Sequence, residues 1–353
     1  MRSFVRNLAV VSLAVGLLAV FLRNAHLSAV WQEIRHAEVA LIAAAIASMF
    51  VNMAIRSVRW QYLLKPVGSV TFGNAFRATS IGFAATSLLP ARAGEFLRPY
   101  VLARRERFSA TAAFATVVLE RVLDLVSVVL LLAAFVLFFD PGMSQRDSGL
   151  YGAVRVGGLL GAATALGLLA VMFALAGRPE GVTRIVLRLE TILPSRVAHL
   201  IARLAGLFAE GLGVVRDPGR LLVSLGWSVS LWLAIGFGIW ATSRAFHIEI
   251  PFAGSFLMMA LLTVGVAVPT PGGVGGFHEA FRIAATAFYG VPNDRAVGAA
   301  IVLHAVSFIP VTVVGLLCLA REGFNLKSMG SLATVAAAED KRGEVPVLRP
   351  SGR

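Results

Sequence analysis

Two apolar regions, one in each half of the chain, are broken in the same way. The first break reads Leu89-Pro90-Ala91-Arg92-Ala93-Gly94-Glu95-Phe96-Leu97-Arg98, and the second reads Pro269-Thr270-Pro271-Gly272-Gly273-Val274-Gly275-Gly276-Phe277-His278-Glu279-Ala280-Phe281-Arg282. In each, a Pro/Gly breaker and then a Glu-x-x-Arg stand between apolar stretches. Backbone that leaves the helix at membrane depth survives only inside protein or beside a polar cavity. Corresponding breaks in two halves point to a transport site where two repeats meet.

The rest of the chain supplies the membrane. Of its residues 58% are hydrophobic and 14% charged, against about 25% charged in a soluble domain, and the mean hydropathy is +0.80. Apolar runs at about 5–22, 39–55, 112–139, 152–176, 221–243 and 296–320 are each long enough to cross a bilayer. The broken regions, 70–107 and 251–291, are too interrupted for one span and read as re-entrant hairpins. The expected fold is therefore all-α: a polytopic integral membrane protein with about six spanning helices and two opposed hairpins.

Charge sets the orientation. Arg56, Arg59 and Lys65, then Arg104, Arg105 and Arg107, then Arg178 to Arg220, then Arg321 and Lys327, are expected on the cytoplasmic side. Both termini are then expected on the cytoplasmic side. Each half reads crossing, crossing, hairpin, crossing; three crossings are odd, so the second half is inverted relative to the first. The membrane domain is expected over 1–326, with repeats at about 1–140 and 150–326. Arg2 and Arg6 before the first apolar run resemble a signal peptide, but the repeat requires that run as a retained helix. Residues 181–215 read as interfacial amphipathic helices, and 327–353 as a disordered polar tail. The net charge of +13 sits at the ends of apolar runs, so anionic lipid headgroups are the expected partners rather than nucleic acid.

An ionisable side chain at bilayer depth costs at least about 2.5 to 3.5 kcal/mol on insertion scales, which makes the few present here informative. Glu95 and Arg98 lie three apart on one helical face, as do Glu279 and Arg282. Glu120, Arg121 and Asp124 fall inside the third long run. Either these groups neutralise one another to fix the hairpins, or Arg92, Arg98 and Arg282 hold an anionic headgroup while Glu95, Asp124 and Glu279 pair with them or titrate. Pro271 breaks the helix, and Gly272-Gly273 and Gly275-Gly276 after it would present free backbone N–H groups to an anion. His304, alone on an apolar helix, reads as a hydrogen-bonded packing residue. Catalytic motifs are missing: His278-Glu279 lacks a second zincin His, and there is no nucleophile elbow, Walker loop or Cys/His cluster. Cys318 has no thiol partner. No metal or cofactor is expected.

Ser87-Leu88-Leu89-Pro90-Ala91-Arg92-Ala93-Gly94-Glu95-x-x-Arg98, with Glu120-Arg121-x-x-Asp124 and Pro271-Gly272-Gly273-x-Gly275-x-x-x-Glu279, resembles the lysylphosphatidylglycerol synthase transmembrane-domain, or flippase-like domain, family. The resemblance runs from about the first helix to Arg321. It implies a bacterial or archaeal inner-membrane protein that moves a lipid or lipid-linked molecule between leaflets, with anionic phospholipid, polyprenyl-lipid or hopanoid-type cargo. Bifunctional relatives carry a soluble aminoacyl-transferase domain after the membrane domain. Nothing of that size follows Lys327, so synthase activity is not carried over. A lipid flippase that is not an enzyme is the expectation. A scaffold recruiting a separate lipid-modifying enzyme and an intramembrane lipid-modifying enzyme remain as rivals.

Overall fold

The computed structural model describes residues 2–89, 94–139, 148–177, 204 and 206–321. The expected interfacial helices lie largely outside the described residues, as do Arg92 and the tail. All regular structure among the described residues is helical. In chain order the helices are α1 (Arg2–Leu22), α2 (Leu27–His36), α3 (Val39–Leu64), α4 (Phe72–Leu88), α5 (Gly94–Glu106), α6 (Ala110–Phe138), α7 (Ser148–Gly177), α8 (Pro218–Ala245), α9 (Gly254–Ala267), α10 (Gly276–Ile283) and α11 (Asn293–Arg321).

Helices α3, α6, α8 and α11 and residues Gly149–Gly177 of α7 are long and apolar enough to cross a membrane. A sixth span is formed if α1, from Ser12, is taken with α2 through an 83° bend. The chain is thus an all-α polytopic membrane protein. Leu137, Phe138, Leu159 and Val264 are each about 70% exposed or more, a surface that water would penalise and lipid chains would not.

Local chemistry starts several of these helices. The Thr71 hydroxyl accepts from Asn74 N–H and opens α4, Ser109 does the same for Ala112 at the start of α6, and Asp217 caps α8 ahead of Pro218 at its first position. The Leu89-Pro90 step ends α4, since a residue before proline is pushed out of helical conformation. α2 was not foreseen. Its ten residues are too short to span, and its hold comes from tertiary contacts: Arg295 to Glu33 at 3.1 Å, His26 to Asp294 at 3.1 Å, and Asn293 to the Asn24 carbonyl at 3.0 Å.

The two halves pack alike. α3 lies on α8; α4 contacts α11 as α9 contacts α6; α5 contacts α6 as α10 contacts α11; α3 contacts α4 as α8 contacts α9. α3 and α8 run antiparallel, because Glu38 N–H bonds the Ala245 carbonyl at 2.9 Å at one end while Gly213 meets Pro66 at the other. The hairpins α4–α5 and α9–α10 use the same device. In the first, a Cβ on Gly94 would strike the Gly82 carbonyl; in the second, Gly265 and Gly276 would each strike the other's carbonyl oxygen. Glycine lets the two arms touch backbone to backbone. The hairpin ends meet, with Gly272 beside the Ser87 carbonyl.

Candidate functional site

The site is built around α6, whose Glu120 and Asp124 are one turn apart and nearly fully buried. Four guanidiniums converge on them from three helices. Arg59 of α3 donates from Nη1 to Asp124 Oδ1 at 2.6 Å and to Ser228 Oγ at 2.7 Å, with Nη2 3.3 Å from Glu120. Arg98 of α5 donates to Glu120 Oε2 at 2.6 Å. Arg56 and Arg121 stand 3.6 and 3.5 Å from Asp124 Oδ2. Trp232 of α8 donates to Asp124 from its indole at 3.2 Å, and the Arg98 guanidinium lies 3.7 Å above the Trp60 ring.

Arg56 and Arg59 correct an expectation. Their charge was read as marking the cytoplasmic end of a span, but α3 continues to Leu64 and both side chains are buried, Arg59 completely. A guanidinium is tolerated there because Asp124 and Glu120 meet it; unpaired, it would cost several kcal/mol, on the order of the penalties for buried ions. The pairing is incomplete. Arg56 Nε and Nη1, Arg59 Nε and Nη2, Arg98 Nε and Arg121 Nε are buried with no hydrogen-bond partner among the described residues.

Beside this cluster lies a cleft of about 160 Å³ between the hairpin ends. Thr86, Ser87, Glu95, Arg98 and Arg121 line one side, and Thr270, Gly272, Gly273 and Phe308 the other. Gly272 and Gly273 have φ of 59° and 68°, a left-handed turn that L side chains resist, following directly on Pro271. Gly275, with φ of 86°, is pressed against Leu17 of α1.

The structure therefore gathers Glu95, Arg98, Glu120, Arg121, Asp124, Gly272 and Gly273 at one place. Glu279 and Arg282 are elsewhere. Arg282 grips Glu279 with two hydrogen bonds, at 2.8 and 2.5 Å, and donates to Asn293 at 3.2 Å. That clasp fastens α10 to the start of α11, at the end of the molecule where α2 docks. Among the described residues no three His, Cys, Asp or Glu side chains group as a metal site requires.

Residues 7–315 match the family described as lysylphosphatidylglycerol synthase TM region. The chain belongs to that family. It is 27% identical over 345 residues to the glycosyltransferase AglD of Haloferax volcanii, covering 89% of this chain and 53% of that protein. It is 37% identical over 87 residues to a UPF0104 membrane protein of Methanocaldococcus jannaschii, covering 24% of this chain and 26% of that one. The chain thus spans about half, or less, of the length of these relatives.

In this lysylphosphatidylglycerol synthase TM region chain, sequence reasoning passed over Arg56, Arg59, Ser228 and Trp232 as parts of the site. One signal for the arginines was present. Trp60, Leu63 and Leu64 follow them, so the apolar run resumes beyond Arg59 rather than ending at it.

Proposed function

We propose that the protein moves an anionic, lipid-linked amphiphile between the leaflets of the membrane, with the headgroup passing through the cleft between the hairpin ends. The observation that carries this reading is the surplus of positive charge in the cluster beside the cleft. Four guanidiniums face two carboxylates in the cluster, and Glu95 at the cleft does not make up the difference. The guanidiniums of Arg98 and Arg121, which line the cleft, suit phosphate oxygens, which accept several charge-assisted hydrogen bonds at once. The cargo class is a lipid phosphate, such as an anionic phospholipid or a polyprenyl phosphate. The membrane is the inner one, with both termini in the cytoplasm.

The test is leaflet exchange of fluorescent lipids in liposomes holding the purified protein, comparing an anionic phospholipid, a polyprenyl phosphate and a neutral lipid. Arg121→Gln is the telling variant, because its side chain is 39% exposed and it can be removed without opening the core. Selective exchange of a phosphate lipid, lost in the variant, is expected. Exchange of all three lipids alike, or none, would count against the reading.

A second reading rests on the name of the Haloferax relative, about half of which lies outside the match. In that reading the membrane domain serves a lipid-modifying enzyme, on the same chain or a separate one. It predicts that the partner's product forms only when both are present, with no exchange by this domain alone.

A further inference from the structure

Two imidazoles hold the second hairpin's turn. His304 of α11 has Nε2 2.8 Å from the Gly272 carbonyl oxygen, so that nitrogen carries a proton and donates. Gly275 N–H donates to His278 Nδ1 at 3.3 Å, so that nitrogen is bare and the ring neutral. The rings lie 4.4 Å apart between centroids, tilted by 31°, among Phe21, Phe277 and Phe308. The residues so fixed, Gly272 and Gly275, bracket the turn that abuts Ser87 of the first hairpin.

We infer that His278 and His304 form a proton-binding site that controls whether the second hairpin stays seated against the first. The seated turn needs His278 Nδ1 as an acceptor. A proton there leaves two donors, Nδ1–H and the Gly275 N–H, facing each other, and sets a cation beside a second imidazole. Release of the turn relieves both. The released form therefore binds the proton more tightly, and by linkage acid favours release while neutral pH favours the seated form.

The surrounding groups leave this role to the pair. Glu120, Asp124 and Glu279 are each held by a guanidinium. α9 has no ionisable residue, and α10 offers only Glu279 and Arg282, joined to each other. On α11, Asp294 and Arg295 pair with His26 and Glu33, and Arg321 closes the far end. α1 begins with Arg2 and Arg6 and is followed by Arg23. Arg77 lies on α4, and Glu95, Arg98 and Arg121 line the cleft across from Gly272.

This inference rests on the cleft as the working site, but its first test needs no cargo. Spin labels at Leu88→Cys and Val274→Cys, in a Cys318→Ser background in liposomes, report the separation of the hairpin ends. Between about pH 7.5 and pH 5, where unperturbed histidine titrates, the long-distance fraction should rise, its ratio to the short one changing by up to about tenfold per pH unit. The double variant His278→Asn with His304→Gln keeps an acceptor for Gly275 and a donor for Gly272 but cannot titrate, so its ends should stay close throughout. Distances insensitive to pH in the parent, or an unchanged response in the double variant, would overturn the proposal. Lipid exchange measured alongside separates it from the transport reading: an intact distance response with no exchange of any lipid phosphate would sink that reading and leave the proton site standing.

Discussion

Asp124 is the residue on which the buried cluster turns. It meets Arg59, Arg56, Arg121 and Trp232 together. Asp124→Asn removes the charge that makes the Arg59 guanidinium tolerable in the interior. Breaking a buried pair from one side typically costs about 3 to 5 kcal/mol, so the variant should show a clearly lowered thermal midpoint in detergent. Arg121→Gln touches the same carboxylate from a half-exposed position, where an ion pair is worth about 1 kcal/mol or less, and should unfold close to the parent. The carboxylates and Arg98 were visible in the sequence because charge inside an apolar run stands out. Arg56 and Arg59 were hidden because arginines near a span's end obey the positive-inside rule equally well. Only the carboxylates across the bundle distinguish the two cases, and contact between distant helices is not written in local sequence.

At the scale of elements, the hairpins depend on glycine as a spacer. Gly94→Ala and Gly265→Ala each drive a methyl group into the carbonyl oxygen of the facing arm. Overpacking of that kind costs about 1 to 3 kcal/mol, and both variants should give less folded protein and a lower thermal midpoint. Gly157 on α7 has nothing within reach of an added Cβ. Gly157→Ala should be neutral or stabilise by up to about 1 kcal/mol, as glycine-to-alanine changes inside helices do. The same thermal series checks all three. The long helices were legible from hydropathy and the hairpins from their breakers, with ends within a few residues of those observed except at α3, whose apolar run was ended at residue 55 where the helix goes on to Leu64. α2 was not legible, since an amphipathic segment of ten residues held by three long-range polar contacts has no strong pattern of its own.

The whole molecule is a duplicated packing arrangement whose central helices, α3 and α8, run in opposite directions. Cysteines placed at Lys65 and Glu249, both exposed and each just beyond the end of one of these helices, should label from opposite sides of a membrane. Labelling of both from one side would overturn the antiparallel arrangement in the bilayer. The packing is shared between the halves, but the charge is not. α6 carries Glu120, Arg121 and Asp124, whereas its counterpart α11 has no Asp, Glu, Lys or Arg between Ala296 and Ala320, where the one titratable base is the imidazole of His304. Any motion that exchanges the shapes of the two halves moves a charged core into one geometry and a neutral core into the other. If the proposed transport runs by such an exchange, the two conformers differ in energy, and the empty protein would wait with one face preferred, biased before any cargo arrives.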